Sequence, residues 1–227
     1  GAVASGSTAS TCERQTEGAA DPALYGGTNS ADNSGSLKYV QIRYSGYVLG
    51  SNSELQALTL EGVGSGTQLD FIQSYNSSDD GAEFFGGTVN MKHYIAVGAD
   101  DDSLDMDTGV QANLQYLLLL QRSGAGDALM ELDSNGNEAQ TPRQISKIAN
   151  FTAIQPATSS NNESNDQAAL LFRGNSDITL ANGVVVAPAN QCIRMNGSGG
   201  ANASTLTARS VAMTCAGTDD ARFIGTG

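Results

Sequence analysis

Asp79-Asp80-Gly81-Ala82-Glu83-Phe84-Phe85-Gly86-Gly87 returns 22 residues later as Asp101-Asp102-Ser103-Leu104-Asp105-Met106-Asp107-Thr108-Gly109. A third copy, Asp127-Ala128-Leu129-Met130-Glu131-Leu132-Asp133, follows after 26 more. Apolar and acidic residues alternate in each copy, the pattern of a strand with one buried and one wet face. Copies at such an interval imply one structural unit per copy, each stacked on the next. Acids one repeat apart then lie one above another.

The same strand extends outward from these copies. Its apolar pairs are Leu58/Leu60, Ala82/Phe84, Leu104/Met106, Met130/Leu132, Leu170/Phe172, Ile193/Met195 and Ala221/Phe223. The leading members are separated by 24, 22, 26, 40, 23 and 28 residues. The i, i+2 spacing within each pair is the strand period, not the 3.6 of a helix. A glycine or small residue usually follows and permits the turn out of the strand. Each unit carries a further apolar strand, at Val40–Ile42, Phe71–Ile72, Tyr94–Val97, Tyr116–Leu120, Ile148–Ile154, Val184–Val186 and Val211–Met213. The 40-residue step accommodates two polar excursions, 134–144 and 155–167. Residues 1–36 lack the period and are expected to form an irregular lead-in or cap; residues 37–227 form the repeat domain.

A leucine-rich repeat would need a regular Leu ladder, and propeller blades need about 40 residues each. A β-sandwich does not predict in-register copies. The expected fold is therefore an all-β, right-handed parallel β-helix of about seven coils, with little or no helix. The 227 residues include 27 Gly and no Trp, and charged residues make up 15% of the chain. That composition suits short strands and tight turns.

The formal net charge of −13 disfavours nucleic acid, whose binding needs clustered Lys and Arg. No apolar run is long enough to span a membrane. Cys192 and Cys215 lie 23 residues apart, about one repeat, and could bridge neighbouring coils in an oxidising compartment. That leaves Cys12 without a partner in this register. Gly1 reads as a processed or excised start.

Two outward columns flank the apolar pairs. The first runs Thr59, Glu83, Asp105, Glu131, Leu171, Arg194, Arg222; the second runs Glu61, Phe85, Asp107, Asp133, Arg173, Asn196, Ile224. Carboxylates about 5 Å apart repel by roughly 3 kcal/mol at an effective dielectric near 20. Such columns must be solvated, protonated or neutralised by a cation. Calcium suits them, because it takes six to eight oxygens in flexible geometry. Its candidate ligands are Glu83, Asp105, Asp107, Glu131 and Asp133, together with Asp101 and Asp102 from a cluster of turn acids that also includes Asp79, Asp80 and Asp100.

The same geometry fits an inverting glycoside hydrolase or a calcium-assisted lyase, with Glu83, Asp105, Asp107 and Arg173 as candidate catalytic groups. Arginine is a difficult base, and no Lys or His joins either column. His93 is the only histidine and falls on another strand, where a structural role is expected. Tyr39, Tyr44, Tyr47 and Phe85 offer faces on which sugars could stack. The Asn-x-Ser/Thr sequons, including Asn76 and Asn150, are weak signals in a chain so rich in Asn and Ser.

The stretch 25–46 (Tyr-Gly-Gly-Thr-Asn through Arg-Tyr-Ser-Gly), with Leu58–Thr67, Phe84–His93 and the Asp100–Gly109 run, resembles a group of secreted or surface-attached bacterial proteins with pectin-lyase-like right-handed β-helices. The resemblance implies fold and export, and no particular reaction. It also implies that further coils can precede this segment in a longer protein. The expected function is that of a secreted or cell-surface structural and binding protein that takes calcium. End-to-end self-association and a polysaccharide are the partners it suggests.

Overall fold

A computed structural model describes residues 13–50, 53–134, 138–158, 168–196, 203–217 and 223–225. Cys12, Ala221 and Arg222 lie outside these residues. The chain is a right-handed parallel β-helix, and no helix occurs among the described residues. Two strands open it, β1 (Glu13–Gln15) and β2 (Leu24–Gly26), paired antiparallel. A second antiparallel pair, β4 (Tyr47–Gly50) with β5 (Ser53–Leu55), lies in the first coil.

Two parallel sheets of seven strands build the solenoid. The short-strand sheet stacks β6 (Thr59–Glu61), β8 (Glu83–Phe85), β10 (Asp105–Asp107), β12 (Met130–Leu132), β14 (Leu170–Arg173), β16 (Ile193–Asn196) and β18 (Phe223–Gly225) in sequence order. The long-strand sheet stacks β3 (Ser36–Arg43), β7 (Gln68–Tyr75), β9 (Asn90–Val97), β11 (Gln111–Leu120), β13 (Gln144–Ile154), β15 (Ser176–Ala187) and β17 (Thr205–Cys215) likewise. Every second strand in the sequence thus enters the same sheet, the connectivity of a coil.

The register of the short sheet follows the repeat. Leu60, Phe84, Met106, Leu132, Phe172 and Met195 align as one ladder, and Phe84, Met106, Leu132 and Phe172 are fully buried. The last coil departs from the expected register. Phe223 pairs with Ile193, and Ile224 with Arg194. The strand therefore sits two residues away from the alignment Met195/Phe223. A two-residue slip keeps the same side chains on the same face, so alternation alone cannot exclude it.

The long strands are bent. One residue per coil, Tyr39, Phe71, His93, Tyr116, Asn150, Asn182 or Ser210, adopts positive φ of 50–64° at equivalent positions. Alternation breaks there, so Met91 and Tyr94 both point into the core while Lys92 and His93 both stay outside it. Asn tolerates this left-handed conformation, whereas for most other L-residues it costs roughly 1–2 kcal/mol. Rings at that position partly offset the cost by stacking, at about 0.5–1.5 kcal/mol per pair. Gly183 follows the same bend one coil above Phe151. A Cβ there would collide with the Phe151 ring.

A disulfide joins Cys192, in the turn before β16, to Cys215 at the end of β17. Ala187 is the register partner of Cys215, so the bond ties one coil to the next.

Candidate metal centre

The repeated acids belong to the strands and entry turns of three coils. Glu83, Asp105 and Glu131 are direct register partners on β8, β10 and β12. Four residues earlier in each copy stand Asp79, Asp101 and Asp127, one per coil, at the turn that leads into the strand. Main-chain hydrogen bonds knit these turns together. The N–H of Asp102 donates to Asp80 Oδ1 at 2.8 Å, and the N–H of Ala128 donates to Asp102 Oδ1 at 2.6 Å.

Three groupings bring carboxylate oxygens within 4.8 Å of one another: Asp79/Asp80/Asp101, Asp80/Glu83/Asp105 and Asp101/Asp102/Asp127. They share Asp80 and Asp101 and so form one continuous acidic tract. Of the acids singled out from sequence, Glu83, Asp105, Asp101 and Asp102 fall in this tract, with Asp79 and Asp80 of the turn cluster. Asp127 was outside the expected set, although its place in the repeat, equivalent to Asp79 and Asp101, marks it. Asp107 falls in none of the three groupings, and Glu131 and Asp133 are drawn towards Arg173 instead. Its Nε lies 3.1 Å from Glu131 Oε1 and its Nη1 3.5 Å from Asp133 Oδ2. Asp107 is buried, and its Oδ1 accepts no hydrogen bond from the described residues. Arg194, one coil beyond Leu171, bonds Gln191 at 3.4 Å.

The acidic face is not the solvated ridge that alternation implies. Asp79, Asp80, Glu83, Asp102 and Asp107 are all buried. The segment around β1 and β2 packs beside them, and Tyr25 hydrogen-bonds Thr108, next to Asp107. Glu17 accepts a hydrogen bond from Gln56 Nε2 at 3.2 Å, and its main chain bonds Glu61. Arg14 reaches Gln140 at 3.4 Å. Glu17 adds its own negative charge to the field at Glu83 and Asp107. The aromatic expectations change as well. Phe85 is buried, while Tyr44 packs edge-on to Tyr75 beneath Arg43.

Burial and mutual repulsion push these carboxyls upward. Desolvation is the first cause and neighbouring carboxylates the next at Asp80, Glu83, Asp102 and Asp105, which rise far above the ordinary range. Asp79 rises to about 6, mainly by burial. Glu131 rises to about 7, where burial outweighs the lowering influence of Arg173. A tract of this kind must either hold protons or hold a cation. Its donors are carboxylate oxygens, the set that suits hard cations such as calcium or magnesium. The open valence of Asp107 fits the same requirement.

A family model described as a pectate-lyase-like β-helix domain matches residues 2–221. The chain belongs to that family. Comparison with curated proteins and with solved structures finds no match. This pectate-lyase-like β-helix gathers its acidic tract on the short-strand sheet and the turns that enter it. His93 lies on the long-strand sheet, with Nδ1 2.7 Å from Asp70 Oδ1.

Proposed function

We propose that this protein is a cation-clasped β-helix, a structural and binding module of the cell exterior whose acidic tract holds calcium. One observation carries the reading: Asp80, Glu83 and Asp105 bring their oxygens within 4.8 Å of one another while Glu83 and Asp80 are buried. Proximity of this kind is unfavourable for bare anions and favourable for ligands of one divalent ion. Flexible coordination makes calcium a better match than magnesium, which demands a near-ideal octahedron and keeps its waters. Glu17, whose charge acts on Glu83 and Asp79, would supply a further carboxylate beside the site. The disulfide between Cys192 and Cys215 supports an oxidising location. The burial of Asp79, Asp80, Glu83, Asp102 and Asp107 leaves a polysaccharide little access there, so a structural role for the tract is favoured over hydrolysis or β-elimination.

The test is thermal unfolding of the full chain with calcium, with magnesium and with chelator. At one hundred times its dissociation constant, an ion adds about 2.7 kcal/mol, or roughly 5–10 °C for a domain of this size. In chelator, Glu83→Gln with Asp105→Asn is expected to raise the melting temperature, because it removes repulsion. The same change is expected to abolish the calcium response. An unchanged melting temperature on adding calcium to the wild-type chain refutes the proposal.

A further inference from the structure

Away from the acids, the first four coils carry an aromatic ladder. Tyr39, Phe71, His93 and Tyr116 stack in order, with ring centroids 4.8, 4.1 and 4.8 Å apart and planes inclined by 8°, 3° and 12°. The next three coils fill the equivalent position with Asn150, Asn182 and Ser210. The bend itself therefore requires no ring. These rings nevertheless face solvent, with Tyr39 78% exposed, Phe71 41% and Tyr116 45%.

An open groove of about 710 Å³ runs beside the ladder. Across from the rings, the outward residues two positions further along each strand are Gln41, Gln73, Ile95 and Leu118, and Asn150 lies at one end. None of the residues lining it is Asp, Glu, Lys or Arg, in a chain of formal net charge −13. Lys38, Lys92 and Lys147 border other hollows of the same sheet.

We propose that this groove binds an uncharged glycan in extended form, laid along the axis of the solenoid. Ring edges and the side chains of Ile95 and Leu118 meet the CH surfaces of the sugars, while the amides of Gln41, Gln73 and Asn150 exchange hydrogen bonds with hydroxyls. Tyr39 stands on the edge strand β3 with one face on Phe71. Among the described residues no ring stacks on its other face, where we place a sugar ring. Successive coils are about 4.8 Å apart, so a linear polymer meets the same kind of wall at each step. A peptide strand seeks free main-chain groups, but the groove floor is sheet already paired from β3 through β7 and β9 to β11. A polyanion needs fixed cations, which the groove does not present. The site does not depend on the cation tract, which lies on the other sheet.

The experiment is affinity electrophoresis of the full chain through gels containing hydroxyethylcellulose, xyloglucan or galactomannan, with alginate and polygalacturonate as charged comparators. Oligosaccharides of any retarding polymer are then titrated calorimetrically. Retardation by at least one uncharged polymer is expected, with or without chelator. Tyr39→Asn with Tyr116→Asn, changes the bend tolerates in later coils, should weaken binding at least tenfold, about 1.4 kcal/mol. Gln41→Ala with Gln73→Ala leaves the bend untouched and should also weaken it. Several outcomes would overturn the proposal: no retardation by uncharged polymers, retardation by charged polymers alone, or binding that survives both pairs of changes. Burial of this face in a dimer of the chain would do so as well.

Discussion

Raising the pH of the calcium-free protein should destabilise it, and two carboxyls set the least size of the effect. Asp79 moves from an ordinary value of 3.8 to about 6, and Glu131 from 4.5 to about 7. Both values are higher in the folded state, so the fold favours the protonated forms. Their contribution is full below about pH 4, declines through pH 6–7 and is gone by about pH 8. At 1.36 kcal/mol per unit, each shift is worth on the order of 3 kcal/mol. The two share neighbours, so the combined loss is less than the sum. For a domain of this size, 3 kcal/mol corresponds to about 6–12 °C. Thermal unfolding in chelator from pH 4.5 to 8.5 should show at least that decline, and Asp79→Asn with Glu131→Gln should make it shallower by about that amount, the rest belonging to Asp80, Glu83, Asp102 and Asp105. Saturating calcium should remove it over the same range, because the ion substitutes for the protons. A melting temperature in chelator that stays level or climbs from pH 5 to pH 8 would refute the idea that these acids are buried together.

Two further perturbations probe the same architecture. Arg173→Met removes the guanidinium beside Glu131 and Asp133 and should cost roughly 3 kcal/mol at pH 8 in chelator. Much of that should return at pH 5, as urea unfolding would reveal; equal losses at both pH values would mean that the arginine acts by packing alone. Gly183→Ala drives a methyl into the Phe151 ring and should cost about 1–3 kcal/mol. A neutral result in the same assay would contradict the stacking of β13 on β15.

Much of the β-helix is legible because burial imposes a period that side chains must obey. Leu60, Phe84, Met106, Leu132 and Phe172 fall on one interior ladder, and their spacing alone implies it. The final coil escapes the pattern, since a slip of two residues changes no face. The bend at His93 leaves a different mark. Apolar pairs three residues apart, Leu69/Ile72, Met91/Tyr94 and Leu114/Leu117, straddle it, and a search for strict alternation passes over them. The equivalence of Asp127 with Asp79 and Asp101 was likewise present in the repeat.

What the linear sequence determined was the coil, the side of the sheet on which each carboxylate stands and the repeat that aligns them, because all three follow from local periodicity. Whether that side is wet was decided in three dimensions. The segment carrying Arg14, Glu17 and Tyr25 has no period of its own, yet it bonds Gln140, Gln56, Glu61 and Thr108 around the buried acids. A contact between chain segments so far apart follows from no local pattern. It turns an acidic ridge, which water would screen at little cost, into a buried tract that calls for protons or a cation. The aromatic ladder arises in the same way: Tyr39, Phe71, His93 and Tyr116 are scattered in the sequence and become one surface only when the coils stack.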